Sequence, residues 1–195
     1  MSAGALAPPR SYRLDVHPGA ASTLAADARA GLAARPKRMP PKHLYDARGS
    51  ELFEEITRLP EYYQTRAELR ILRRAAPGIV ARHGVDELVE LGAGAARKTA
   101  VLIDAIRAGG SPGRYVPFDV CPEALLAAAG RLADAYPGLA VHGVAGDFER
   151  HIAAIPPRAG RRRLVAFLGG TIGNLEPGAR APFLRDVGDL LGRVP

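Results

Sequence analysis

Four polar side chains recur at the ends of four short apolar runs, which is where a ligand of an α/β protein would meet them. The runs are Glu87 to Leu91, Arg114 to Val120, Leu139 to Ala145 and Arg163 to Leu168. The first ends in Glu90-Leu91-Gly92-Ala93-Gly94, the second at Asp119, the third leads to Asp147-Phe148, and the fourth to Gly169-Gly170-Thr171-Ile172-Gly173-Asn174. In an open parallel sheet, ligands bind in the crevice at the carboxyl ends of the strands, so these positions carry the chemistry. Gly92 and Gly94 let the backbone turn sharply and leave room for a ligand against it, although a glycine pair serves equally as a tight strand-to-helix turn.

Spacing separates the nucleotide options. A dinucleotide fingerprint needs a third glycine where Arg97 stands, and a P-loop needs Gly-Lys followed by Ser or Thr, which does not occur. What remains is a ligand with adenosine but no phosphate. Asp119 would accept from the ribose hydroxyls, Asp147 would take the adenine amino group, and Phe148 would lie on the adenine ring. Singly, each acid is as readily a helix N-cap or a solvated loop residue. Their recurrence at successive strand ends favours the ligand.

The elements that must position these residues follow from periodicity. Lys98 to Ala108 and Pro122 to Ala135 carry apolar residues at helical spacing between the apolar runs, and Pro122 suits a first helical turn. A further helix is expected over Ala181 to Leu191. This alternation predicts an α/β fold, a Rossmann-like parallel sheet of about four strands. Upstream, residues 1–20 read as a loose arm rich in Pro, Gly and Ala, and Ser22 to Ala34 as a helix ended by Pro36. Pro40 and Pro41 keep the chain extended, and a short helix follows. Thr65 and Glu68 have capping-box spacing at the start of a helix whose apolar face includes Leu69, Leu72, Ala76 and Val80, with a kink expected at Pro77. The expected division is residues 1–84 as an arm and helical segment, and residues 85–195 as the partial sheet domain.

A chain of 195 residues with 47% hydrophobic content supports a real core. The net charge of +7 invites a nucleic-acid partner. Against that, the arginines are scattered, and the run Arg161 to Arg163 reads as a solvated strand entrance, so neither nucleic acid nor membrane is the expected partner. One cysteine, Cys121, excludes an intramolecular disulfide and a thiolate-rich metal site, so no metal is expected. With no secretory pattern and no apolar stretch of membrane-spanning length, the expected location is cytoplasmic.

The stretch from Arg38 to Arg66, including Pro40-Pro41-Lys42-His43-Leu44-Tyr45-Asp46 and Leu59-Pro60-Glu61-Tyr62-Tyr63, resembles the amino-terminal signature of the histidine-specific S-adenosylmethionine methyltransferases. Further matches are Val89 to Gly94 with Lys98, Pro117 to Asp119, Gly146 to Phe148 and Phe167 to Asn174. The resemblance implies S-adenosylmethionine as cofactor, held by Tyr45, Gly92, Gly94, Lys98, Asp119, Asp147 and Phe148. It implies L-histidine as the small-molecule substrate, with Asn174 near the α-amino group and Tyr62 near the imidazole. It also implies successive transfers giving N-α-trimethylhistidine (hercynine) on the route to ergothioneine.

On the residues alone, Tyr62 is as readily core packing and Asn174 a turn residue. His43 and Leu44 stand where the family usually has aromatic residues, Gln64 where it usually has proline, and Gly170 where it often has serine. Family members are longer, so the chain is expected to hold their amino-terminal two-thirds or so. The fourth strand would then be an exposed apolar edge, which either a second chain completes or which leaves the product unstable. Two other readings stand beside this one: a cofactor-binding remnant without turnover, and a basic nucleic-acid binder on the same fold.

Overall fold

Five parallel strands form one sheet in the order β1-β4-β3-β2-β5. The strands are β1 (Tyr12–Val16), β2 (Glu87–Leu91), β3 (Arg114–Asp119), β4 (Ala140–Ala145) and β5 (Arg163–Ala166). The computed structural model describes residues 12–17, 23–111, 113–157 and 160–192. The helices are α1 (Leu24–Ala33), α2 (Ala47–Ile56), α3 (Gln64–His83), α4 (Thr99–Ala108), α5 (Pro122–Ala135), the single turn α6 (Phe148–His151) and α7 (Pro177–Leu191).

The four expected runs are all strands, and β1 is a fifth that the expectation of a loose arm missed. Tyr12, Leu14 and Val16 alternate with Arg13 and Asp15, the period of a strand. They pair in register with Val141 through Ala145 of β4. A strand from the first segment thus belongs to the sheet of the second. The rest of the expected arm, residues 1–11 and 18–20, lies outside the described residues.

Both faces of the sheet are covered, which is why β2 is buried at every position. Leu88, Tyr115 and Val141 face one layer, with Leu72, Ala76 and Val80 of α3 and Leu102, Ile103 and Ile106 of α4. Val89, Leu91, Val116, Phe118 and Val144 face the other, with Ile152, Ile155 and Phe183 of α7. The helix α3 runs on as one element through Pro77. At its start the expected capping box does not form: the residue before the helix is Tyr63, and no side chain caps it. Glu68 is drawn away to the sheet instead.

The arginine run is a solvated entrance only in part: Arg162 is exposed and Arg161 half-buried, but Arg163 is buried. The Arg163 side chain is 1% exposed and pairs with Glu87, fully buried on β2, which Arg114 on β3 also contacts at 2.6 Å. Arg163 further donates to the Leu190 and Pro156 carbonyls, so three elements converge on one guanidinium at the amino end of the sheet. At one side of the sheet β5 pairs with β2 alone, as expected for the fourth strand. No helix among the described residues is long and apolar enough to cross a membrane.

Candidate active site

A cavity of about 1260 Å³ opens at the carboxyl ends of the strands, and all nine expected site residues line it: Tyr45, Tyr62, Gly92, Gly94, Lys98, Asp119, Asp147, Phe148 and Asn174. The floor is the turn after β2. Gly92 holds φ at +73°, a left-handed conformation that costs a side-chain-bearing residue roughly 1 to 2 kcal/mol. Beside it stand Phe148 and Thr171. Ala96 also adopts a positive φ of 52°, a backbone strain of the kind found at ligand sites.

Asp119 ties this turn to β3. One of its oxygens accepts from the Gly94 amide at 2.8 Å and the other from the Cys121 amide at 3.1 Å. Burial pushes its carboxyl above the usual carboxylate range, against the pull of these backbone donors. Under the same turn lies Glu90, a residue noted at the strand end but given no role by the sequence. It is 2% exposed and lines the cavity. Burial raises its pKa to about 7, although the hydroxyls of Thr99 and Tyr115 donate to it. Both hydroxyls address the same oxygen, which leaves the other without a hydrogen bond among the described residues.

The opposite wall is the helical layer. Asp46 caps α2 by accepting from the Gly49 amide at 2.7 Å. Gly49 is needed there, because a Cβ would lie 1.9 Å from the Leu44 carbonyl oxygen. The cap aims Phe53 between Tyr45 and Tyr62, with edge-on ring pairs at 6.1 and 6.0 Å. Gln64 opens α3 at a first-turn position where proline is equally at home. Gly170 has open space around it, enough for a small side chain.

Ion pairs join this layer to the sheet. Lys98 meets Glu68 at 2.7 Å, and the other Glu68 oxygen accepts from the Gly169 amide at 2.6 Å, so α3 grips both the β2 and β5 turns. Arg97 pairs with Glu54 of α2, and Arg38 with Glu176 just before α7. Lys42 reaches Asp147 at 2.8 Å and Asp27 at 3.2 Å. His43 also meets Asp27 at 2.8 Å. Lys42, Asp27, Glu68 and Glu90 are therefore site or near-site residues that sequence reasoning missed. Only the position of Glu90 at a strand end signalled it.

Phe148 lines the cavity but also belongs to the core. It stacks on Phe118 at 5.4 Å and meets Phe167 and Phe183 edge-on. Asn174 ends the single 3-10 turn Thr171–Asn174 after β5 and is exposed.

The family model described as SAM-dependent histidine-specific methyltransferase matches residues 24–194. The chain belongs to that family. It is 52% identical over 172 residues to the histidine N-alpha-methyltransferase of Mycolicibacterium smegmatis, covering 88% of this chain and 53% of that protein. To the protein of the same name from Mycobacterium tuberculosis it is 52% identical, over 81% of this chain and 49% of the relative. Ergothioneine biosynthesis protein 1 of Neurospora crassa is 31% identical over 80% of this chain and 18% of its own length. The chain thus spans about half the length of the mycobacterial relatives it matches.

Among solved structures, a protein from Streptomyces avermitilis superposes with a TM-score of 0.53 at 18% identity, over 74% of this chain and 58% of that one. The CurJ carbon methyltransferase superposes at 0.52 and 14%, over 86% and 44%. Both share the fold of this methyltransferase-family chain.

Proposed function

We propose that the chain binds S-adenosylmethionine in the cavity at the strand tips and methylates the α-amino group of L-histidine, giving N-α-trimethylhistidine for ergothioneine biosynthesis. The observation that carries this reading is the convergence of all nine expected residues on one cavity, in a chain 52% identical to a histidine N-alpha-methyltransferase.

The residues suit the cofactor. Its ribose presents two hydroxyl donors, and each Asp119 oxygen keeps a lone pair beyond the amide it already accepts from. Its sulfonium and ammonium are cationic, and the cavity lining includes the carboxyl groups of Glu90, Asp119 and Asp147. When bound, it supplies an electrophilic methyl carbon. The protein's share of an in-line displacement is to hold a neutral amine about 3 to 3.5 Å from that carbon. The attacking amine must be neutral: an α-amine titrates at about pH 8 in a peptide and higher in a free amino acid, so its ammonium proton would have to leave to solvent or to a group of the cavity before each transfer. Asn174 on the β5 side and Tyr62 on the helical wall are the groups that would orient the amino acid between them.

In the same reading, the open side of β5 is where further polypeptide, of this protein or a second chain, would extend the sheet. Calorimetry with S-adenosylhomocysteine, followed by mass spectrometry of histidine incubated with S-adenosylmethionine, tests the proposal. Binding with methylated histidine is the expected result. Binding without turnover reduces the chain to a cofactor-binding unit, and no binding overturns the reading.

A further inference from the structure

Residues 24–63 form the helical wall of the cavity, yet Gly31 alone among them is buried, and none of their side chains joins the apolar core of the described residues. Internal bonds make α1 and α2 one unit. The Arg38 amide donates to the Gly31 carbonyl at 3.0 Å, and Asp27 of α1 meets both Lys42 and His43 on the 3-10 turn Pro41–Leu44. The Asp46 cap then starts α2 directly after that turn.

Charge fastens this unit to the sheet. Glu54 pairs with Arg97 after β2, Lys42 with Asp147 after β4 at 2.8 Å, and Arg38 with Glu176 before α7 at 3.2 Å. All six residues line the cavity, so the three pairs span it at three separate turns. Two of the pairs reach solvent: Arg97 is 61% exposed, and Arg38 and Glu176 are 57% and 64% exposed. Behind α2, Arg66 of α3 donates to the Leu59 and Pro60 carbonyls and fixes the chain there to the body of the protein.

We propose that residues 24–57 are a lid that swings about Leu59 and Pro60 to admit and release the ligand, with the three ion pairs as its latches. The inference rests on the cofactor reading above, because the cavity beneath the lid is the one given to the cofactor.

The kind of bond decides how such a wall behaves. Apolar burial would hold it shut in proportion to the area removed from water, a force that screening leaves alone. Exposed ion pairs contribute about 0 to 1 kcal/mol each and weaken as salt rises. A wall held by two or three of them opens often, and more often in salt. The Arg38 and Arg97 pairs join lid to turn whether the cavity is filled or empty. Loosening them therefore changes how frequently the lid opens and leaves the grip of the closed cavity as it was. Ligand entry and exit should quicken together.

The test is stopped-flow association and dissociation of S-adenosylhomocysteine, which carries no net charge at neutral pH and so is not steered by the field of the protein. Salt is raised from about 0.1 M to about 1 M, which shortens the screening length from about 10 to about 3 Å. Both wild-type rates should rise about 3- to 10-fold, with Kd held within about twofold. The double variant Arg38→Gln/Arg97→Gln should exchange that fast already in low salt and respond less to added salt. Arg38→Glu alone should also exchange fast, and adding Glu176→Arg should slow it again by re-forming the pair in reverse. Thermal melting reports folding. Should the double variant prove unfolded, Glu54→Gln/Glu176→Gln removes the same two latches from their other ends.

Rates that ignore both salt and the substitutions overturn the lid. So does faster dissociation without faster association, since the charges would then be acting on the ligand itself. Either result leaves the cofactor site standing. No binding by wild type at either salt concentration overturns the cofactor reading, and this inference with it.

Discussion

Removing the Asp119 carboxylate strikes the site at the point where turn, strand and ligand meet. Each of its oxygens already holds one backbone amide, Gly94 at 2.8 Å and Cys121 at 3.1 Å, and has one lone pair left for a ribose hydroxyl. A hydrogen bond to a charged group contributes about 1.5 to 3 kcal/mol. Loss of two such bonds in Asp119→Ala should therefore weaken S-adenosylhomocysteine binding by about 3 to 6 kcal/mol, roughly 100- to 10⁴-fold. Asp119→Asn keeps the shape and one acceptor oxygen, so its loss should be about half as large, roughly 10- to 100-fold.

The two variants should also differ in stability. The alanine frees both amides at about 1 kcal/mol each, and the asparagine frees only one. Because burial raises the carboxyl of Asp119, wild-type affinity should fall with decreasing pH at a higher pH than the ordinary carboxylate value of 3.8. The asparagine variant has no proton to gain there and should show no such fall. Calorimetry across pH, with melting curves to confirm folding, measures all of this. An Asp119→Ala protein that is folded and binds within threefold of wild type would refute the assignment.

Three other perturbations probe the frame. Glu90, raised from 4.5 to about 7, binds a proton in the folded chain that the unfolded chain has already lost between those values. Stability should thus fall as pH rises from about 4.5 to 7, by on the order of 3 kcal/mol, and Glu90→Gln should melt above wild type at pH 8 but not at pH 4; parallel melting curves at both pH values would contradict this. Gly49→Ala forces a Cβ to 1.9 Å from the Leu44 carbonyl oxygen, so it should cost about 1 to 3 kcal/mol in urea unfolding and loosen the Tyr45 and Tyr62 wall. Arg163→Met leaves Glu87 buried with only Arg114 and should cost about 3 to 5 kcal/mol, while the affinity of folded molecules for the cofactor stays near wild type, because this pair lies at the far end of the sheet.

Much of the frame was legible from local pattern. The four apolar runs, the helices between them and the polar residues at the strand tips all follow from hydrophobic period and chain order, and parallel strands must bring their tips to one edge. That is why Asp119, Asp147 and Asn174, 55 positions apart at the extremes, could be assigned to one crevice from the sequence. The signature from Arg38 to Arg66 supplied Tyr45 and Tyr62, which no periodicity argument would have selected.

Other features had no local signal strong enough to decide them. The alternation in Tyr12 to Val16 is only five residues long and sits among prolines and glycines; it becomes a strand because the outer side of β4 offers a row of unpaired backbone groups. Glu68 has the spacing of a helix cap, yet Lys98 and Gly169, 30 and 101 positions away, outbid the local amide. Arg163 reads as one of three exposed arginines until Glu87 is placed beside it. Lys42 carries no signal of its own in the sequence until the fold sets it against Asp147. The amino-acid order determines elements, because hydrophobic period and turn chemistry act over a few residues. Which charge meets which is a matter of long-range partners, and only the packed sheet, by excluding water around Glu87, Glu90 and Asp147, decides which of those meetings carry energy.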